Sequence, residues 1–227
     1  MALYSAAEFD TAATPSATVS APAPPGVSLG DQLLIWVTAS AASITWTTPS
    51  GWTAATVSHG QNCSAQLFVK TAASGDVTLS SSSGSYTLTA SSSHSQAGII
   101  AGVSGQSGLD PAAAGSGTLL SSASTTVTAP SVTTADGSDL LIWLAVARDT
   151  SAAQTITIPA GYTSQASGNT TASGATVSVT AATSAQSAAG ATGAVSGTLS
   201  ASDDGGALLV SVALAASAAA SITAAGT

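Results

Sequence analysis

The sequence predicts an all-β protein, an antiparallel β-sandwich of jelly-roll-like type built from two sequence repeats. Short runs of β-branched, apolar and aromatic residues recur along the chain, and each run is bounded by Gly, Pro, Asp or Ser. Alanine-rich stretches are interrupted throughout by Ser, Thr and Gly, which weaken helices. Motifs of the first half also return in the second half at a nearly constant distance, which indicates an internal duplication.

The predicted strands follow one another with turn residues between them and no helix. The first half has strands at residues 18–21, 32–40, 43–47, 52–58, 65–71, 77–80, 85–91 and 96–104. The second half has strands at residues 125–129, 139–147, 154–158, 162–167, 176–182, 193–200 and 206–215. Short strands at this spacing favour an antiparallel sandwich over a parallel α/β sheet.

Four landmarks carry the duplication, and they recur in the same order 107 to 110 residues later. They are residues 18–22 with 126–130, 33–37 with 140–144, 49–53 with 159–163, and 98–103 with 207–212. The second pair contains Leu-Leu-Ile-Trp in both copies. Asp31 and Asp139 stand just before these two strands, and we expect their carboxylates to accept hydrogen bonds from turn amides.

The duplication predicts the domain organisation. We expect an N-terminal arm at residues 1–17, a first β-sandwich repeat at 18–104, a linker at 105–124, a second β-sandwich repeat at 125–216 and a C-terminal tail at 217–227. Two arrangements fit these bounds: two tandem sandwiches, or one sandwich in which the repeats interleave. The second is slightly favoured because each repeat has few large core residues of its own.

The composition excludes several classes of function. Ala, Ser and Thr make up 122 of the 227 residues, and charged residues only 5%. Lys70 and Arg148 are the only basic residues against ten acids, so we expect no nucleic-acid partner and no anionic membrane partner. No apolar run reaches the roughly 18 residues of a membrane helix. The first ten residues lack the pattern of a signal peptide, so we expect synthesis in a cytoplasm.

Titratable residues are too few and too scattered to predict an enzyme. His59 and His94 lie in polar, Ser-rich surroundings and are expected to be solvated loop residues. Cys63 stands alone and has no sequence-near basic group to lower its pKa. The turns at residues 136–139 and 203–206 carry carboxylates without the spacing of a calcium loop. We therefore predict no catalytic residue, no metal site and no cofactor.

Five aromatic residues are the candidates for packing or contact. Trp36 and Trp143 stand in matching apolar strands and are predicted to be core residues, with a subunit interface as the alternative. Trp52 and Tyr162 follow Pro-x-Gly turns, where a role in capping the core is favoured over stacking on a sugar. Trp46 has no aromatic counterpart in the second half and is the better candidate for a surface contact. The predicted glycan or partner contacts are therefore Trp46, Trp52 and Tyr162.

The order of motifs, with Gly-Asp-Gln-Leu-Leu-Ile-Trp at residues 30–36, Pro-Ser-Gly-Trp-Thr at 49–53 and Leu-Asp-Pro at 109–111, resembles a known β-sandwich family. This jelly-roll or Ig-like family occurs in the virion proteins of tailed bacteriophages and in bacterial surface proteins. The resemblance covers residues 18–216. It implies a non-enzymatic virion protein, a head-decoration or minor tail protein, that binds capsid or tail subunits and its own copies. The alternatives are a carbohydrate-binding adhesion module that recognises a host surface glycan, and a spacer of a bacterial surface protein.

Overall fold

The computed structural model describes residues 2–11, 14–114, 118–119, 123–150, 152–170 and 175–214. The first half contains β1 Ala2–Asp10, β2 Ser16–Pro22, β3 Gln32–Ala39, β4 Trp46–Thr47, β5 Thr53–His59, β6 Ser64–Thr71, α1 Ser74–Ser81, β7 Ser85–His94 and β8 Gln96–Ser104. The second half contains β9 Gln106–Ala114, β10 Thr118–Leu119, β11 Ser124–Ala129, β12 Thr133–Thr134, β13 Leu140–Asp149, β14 Ile156–Thr157, β15 Thr163–Asn169, β16 Thr176–Ala185, β17 Gly190–Ala191 and β18 Val195–Leu214. The strands pair antiparallel, and the predicted all-β fold is confirmed. No helix among the described residues is long and apolar enough to cross a membrane.

The first half forms a sandwich of two sheets. The larger sheet has the strand order β1-β8-β3-β6-β5, and the smaller has the order β2-β7-β4. Large apolar side chains from both sheets meet between them, among them Leu33, Ile35, Val37, Trp46, Trp52, Phe68, Leu88 and Ile100. This cluster, the first core, is almost completely closed to solvent.

The second half has its strands in the same spatial order. Its larger sheet runs β18-β13-β16-β15, with β9 and β10 pairing on the far side of β18, and its smaller sheet pairs β11 and β14 with β18. The second core lies between these sheets and includes Val127, Leu141, Trp143, Ala182, Leu199 and Leu209. The long strand β18 belongs to both sheets, whereas the matching stretch of the first half is divided into β7 and β8 at Ser95.

The large sheets of the two sandwiches pack against each other through a third apolar cluster, the central layer. In β3, Leu33 and Ile35 point into the first core, whereas Leu34 and Trp36 point into the central layer. Both faces of the strand are therefore buried, which explains its unbroken apolar sequence. The molecule is thus four β layers thick. Each large sheet draws its strands from one half of the chain, so the interleaved arrangement that was slightly favoured is wrong.

The two Leu-Leu-Ile-Trp strands present opposite faces. Trp36 lies in the central layer, whereas Trp143 lies in the second core. The backbone carbonyls of Asp31 and Asp139 accept the N–H groups of Ala72 and Gln186, the first residues after β6 and β16, at 2.7 and 2.9 Å. Asp31 and Asp139 therefore occupy matching positions. They are 139 − 31 = 108 residues apart, but the two tryptophans are 143 − 36 = 107 apart. A shift of one residue sends a strand's side chains to the other face, so the match of letters is not a match of positions.

Residues 77–80, predicted as a strand, lie instead in the helix α1. The Asp76 carboxylate accepts a hydrogen bond from the Ala73 backbone N–H at 2.8 Å, which closes the first turn of the helix. Val77 and Leu79 then pack from the helix against the first core. The apolar spacing of these two residues was taken as strand alternation, but both contact the core from a short helix.

The segments predicted as arm and linker are parts of the sheets. The N-terminal arm, residues 1–17, contains β1, which pairs along its length with β8 and places the Phe9 side chain in the first core. The predicted linker, residues 105–124, contains β9 and β10, which both pair with β18. Glycine, serine and alanine suggested turns there, but an open strand edge offers backbone partners to any sequence. The predicted tail, 217–227, lies outside the described residues.

Candidate functional site

Trp46, predicted to be a surface contact, is buried in the first core with 5% of its surface exposed. Its indole N–H donates to the Gln96 Oε1 atom at 2.6 Å, and its backbone N–H donates to the Gln66 Oε1 atom at 3.3 Å. The two glutamines come from β6 and β8, the strands on either side of β3, and satisfy the polar groups of Trp46 inside the core. The surface prediction is therefore wrong, because long-range polar partners make burial of Trp46 possible.

Trp52 is also enclosed. Its ring meets the Tyr86 ring edge to face, with 5.1 Å between the ring centroids, and the Lys70 ammonium lies 5.9 Å from its centroid. Tyr162, the third candidate contact, packs half-buried against the second core, and burial raises its pKa to about 12. Trp52 therefore has no open face for a sugar ring, and Tyr162 has at most a partial one.

The charged residues beside Trp52 attach α1 to the sheet. The Lys70 ammonium and the Asp76 carboxylate form an ion pair with 2.8 Å between Nζ and Oδ1, and the Tyr86 hydroxyl donates to the same oxygen at 3.0 Å. Burial raises the pKa of Asp76, but the hydrogen bonds from Lys70, Ala73 and Tyr86 outweigh it and hold the pKa below its usual 3.8. These contacts are accounted for by packing and need no ligand.

The cysteine and the two histidines, for which no catalytic role was predicted, lie in β-strands or beside them. Cys63 is fully buried at the central layer. Burial and the nearby Asp204 carboxylate raise the pKa of its thiol to about 12, although the Arg148 guanidinium acts in the opposite direction. Such a thiol is a poor nucleophile at neutral pH. His59 and His94 end the strands β5 and β7, so both belong to strands and not to the loops that were predicted.

The aspartates considered at turns have backbone or inter-sandwich partners. The Asp31 Oδ2 atom accepts the Ser28 N–H at 2.8 Å, which confirms the predicted turn role. Asp204 is buried within β18 and accepts a hydrogen bond from the Asn62 amide of the other sandwich. Burial also raises the pKa of Asp203. Among the described residues, no three His, Cys, Asp or Glu side chains are grouped so that they could hold a metal ion.

A cleft of about 210 Å³ opens at the edge of the second sandwich. On its floor, Ser167 and Asn169 of β15 pair across the strands with Thr180 and Ser178 of β16, so the four side chains share one face. The opposite wall is the segment that leads into β14. The lining residues are all uncharged: Gln154, Thr155, Ile156, Ser167, Gly168, Asn169, Ser178, Val179 and Thr180.

The cleft exists because smaller residues stand where the first sandwich has large ones. The turns after β4 and β14 close identically, by N–H to C=O bonds from Trp52 to Pro49 and from Tyr162 to Pro159, and this matches Trp46 with Ile156. On the facing strand, strand pairing matches Gln66 and Phe68 of β6 with Thr180 and Ala182 of β16. Sequence reasoning missed this site, although the smaller residues of β16 were the available signal.

The outer faces of the two small sheets form the other distinctive surface. Most of their exposed side chains carry hydroxyl groups, including Thr18, Ser20, Thr87 and Thr89 in the first sandwich and Thr126, Thr128, Ser196 and Thr198 in the second. The Thr128 and Ser196 hydroxyls bond to each other across the strands at 2.8 Å. The two opposite sides of the four-layer structure therefore present flat, uncharged rows of hydroxyl groups.

Comparison with known proteins finds no protein-family model, no curated protein and no solved structure that matches the chain. The resemblance to phage virion proteins stays a prediction from the sequence motifs.

Proposed function

We propose that the chain is a non-enzymatic structural protein of a tailed-bacteriophage virion, a head-decoration or minor tail protein that binds capsid or tail subunits and its own copies. The observation that carries this proposal is the pair of hydroxyl-lined outer faces on opposite sides of the molecule. Two such faces allow one molecule to contact a neighbour on each side. Hydroxyl groups that find hydrogen-bond partners are also cheaper to bury than unpaired charges.

The layered fold supports the same role. The central layer joins the two large sheets through apolar side chains of both sandwiches, including Trp36, Ile99, Leu144 and Leu208. The two outer faces are thereby held at a fixed distance from each other. A rigid spacing between two contact surfaces is what a repeated subunit of a particle requires.

The location is tested by immunogold labelling of phage particles from the source lysate, with antibody raised against the purified chain. Gold on the heads supports a decoration protein, and gold on the tail supports a minor tail protein. Particles without any label would overturn the virion assignment.

A charge placed on an outer face tests which surface binds. We expect Thr87→Lys to fold normally, because Thr87 is an exposed strand residue, and to reduce incorporation into particles, because the lysine must be desolvated at the interface. Thr78→Lys, on the exposed side of α1, is the matched control and should be incorporated normally. Equal incorporation of both variants would show that the first outer face is not the contact.

A carbohydrate-binding adhesion module is the second candidate, and one observation favours it. The uncharged cleft of the second sandwich offers hydroxyl and amide groups for a polar ligand. Trp46 and Trp52 cannot serve as its stacking platforms, because both rings are buried. The candidate therefore depends on the cleft and not on the tryptophans.

A further inference from the structure

We propose that the cleft between β14, β15 and β16 binds one neutral sugar ring. This inference rests on the second candidate function above, the carbohydrate-binding module, and names its site and ligand class; it does not depend on the structural role. It assigns the ligand contacts to Ser167, Asn169 and Thr180 on the floor and to Thr155 and Ile156 on the opposite wall.

The lining groups match the chemistry of a polyol. Serine and threonine hydroxyls both donate and accept hydrogen bonds. The Asn169 side chain offers its Oδ1 atom as an acceptor and one N–H as a donor, since its amide nitrogen also donates to the Thr170 carbonyl at 3.2 Å. A sugar hydroxyl has the same double character, so several pairings are available for each group. No charged side chain lines the cleft, so a phosphate, carboxylate or ammonium group would be desolvated there without a counter-charge.

Thr180 is the residue that points most clearly to a ligand. It lines the cleft although only 4% of its surface is exposed, and it lies on the same face of β16 as Ser178. The Ser178 hydroxyl is already engaged, because it accepts the Gln154 backbone N–H at 3.0 Å. A hydrogen bond to a group that has little contact with water counts more towards affinity than one made on an open surface.

The wall of the cleft is held in place before any ligand binds. The Gln154 Oε1 atom accepts hydrogen bonds from the Ser200 hydroxyl at 2.7 Å and from the Ala201 N–H at 3.0 Å. Its Nε2 atom donates to an Asp149 carboxylate oxygen at 2.7 Å. A fixed wall loses little conformational entropy on binding, which favours affinity for a small ligand.

The size of the cleft limits the ligand to about one ring. The volume of about 210 Å³ lies below the roughly 300 Å³ at which pockets for drug-sized ligands begin. Ile156, half-buried at the wall, supplies the apolar contact for the C–H side of a ring. The cleft therefore suits one saccharide unit, with a longer glycan continuing into solvent.

The test is an NMR titration of the full, ¹⁵N-labelled chain with the methyl glycosides of glucose, galactose, rhamnose and N-acetylglucosamine. Methyl glucuronide serves as the charged comparator. We expect at least one neutral glycoside, and not the glucuronide, to shift the amide signals of residues 154–156, 167–169 and 178–180. An absence of shifts with all four neutral probes, or shifts confined to other parts of the chain, would overturn the proposal.

Two variants separate binding from folding. Thr180→Val keeps the shape and removes the hydroxyl, and it should weaken binding about fivefold to tenfold. Ser167→Trp places a large ring from the exposed edge strand into the cleft and should abolish the shifts. Thr53→Val, the same chemical change as Thr180→Val at an exposed position of β5, should bind normally. Unchanged affinity in both cleft variants would contradict the proposed site, whereas unlabelled virions with intact sugar binding would contradict only the structural role.

Discussion

The two sandwiches have the same strand order but fill their interiors differently. The first core contains Trp46, Trp52 and Phe68, and α1 covers part of its edge. The second core has one tryptophan, Trp143, and leaves the cleft at its edge. The comparison shows that this arrangement of strands tolerates a large change in side-chain volume, provided that one sandwich accepts an opening where the other is closed.

The position of Trp143 explains much of the difference. It occupies the place on β13 that matches Ile35 on β3, so the large residue of the second core comes from the middle strand. Gly197 makes room for it, because a Cβ atom there would lie 2.6 Å from the Trp143 ring. In the first sandwich, Trp46 and Phe68 fill the core from β4 and β6, whereas in the second sandwich Trp143 fills part of that volume from β13.

The largest effect is expected at Trp143. Because it is the one ring fully buried in the second core, Trp143→Ala should lower the free energy of unfolding by about 4 kcal/mol. Chemical denaturation followed by circular dichroism measures the loss, with Tyr162→Ala as the half-buried control. A loss under about 1 kcal/mol would mean that the second core does not depend on this side chain.

Asp76 should have the next largest effect, and only in the first sandwich. Asp76→Asn removes the charge opposite the largely buried Lys70 ammonium and should cost about 3 kcal/mol of unfolding free energy. Since the folded-state pKa of Asp76 lies below 3.8, its contribution is present above pH 3.8 and is lost as the pH falls through the folded value. Urea denaturation of the unmodified chain and of Asp76→Asn, from neutral to acid pH, checks this, because their unfolding free energies should converge at acid pH. A constant gap would contradict the assignment.

A smaller effect is expected when the first sandwich is given the residue of the second. Trp46→Ile should cost about 2 kcal/mol, because it opens a cavity and leaves the Gln96 carboxamide oxygen without the indole N–H. The reverse change, Ile156→Trp, should narrow the cleft of the second sandwich. Thermal unfolding of the two variants measures the effects. If Trp46→Ile did not destabilise the chain, the volume difference would not explain the two interiors.

The smallest effect concerns Cys63, at the joint between the sandwiches. Because the thiol is buried and its pKa is raised to about 12, a thiol reagent at pH 8 should leave the native chain unmodified and react only as denaturant unfolds it. Absorbance of the released chromophore reports the reaction, and Cys63→Ala gives the blank. Rapid labelling in native buffer would show that the central layer opens without unfolding.

Much of the fold could be predicted from the sequence, because a strand that is buried on both faces has an almost continuous apolar sequence. The Leu-Leu-Ile-Trp strands were identified for this reason. The sequence alone did not show which face each tryptophan takes, because the register of the two strands follows the matching positions of Asp31 and Asp139. The burial of Trp46 depends on Gln66 and Gln96, which are distant in sequence. The cleft was missed because it also depends on residues distant in sequence: near Ile156, the second sandwich has small side chains where the first has Gln66 and Phe68.

The long strand β18 has a consequence for how the second sandwich opens. Its first part pairs with β11 and β14 and its later part with β13, so neither sheet can lose this strand without loosening the other. In the first sandwich the corresponding strand is interrupted at Ser95, so β7 and β8 are separate strands in different sheets. Amide hydrogen exchange should therefore show the two sheets of the second sandwich as one cooperative unit, whereas the small sheet of the first sandwich should exchange separately from its large sheet.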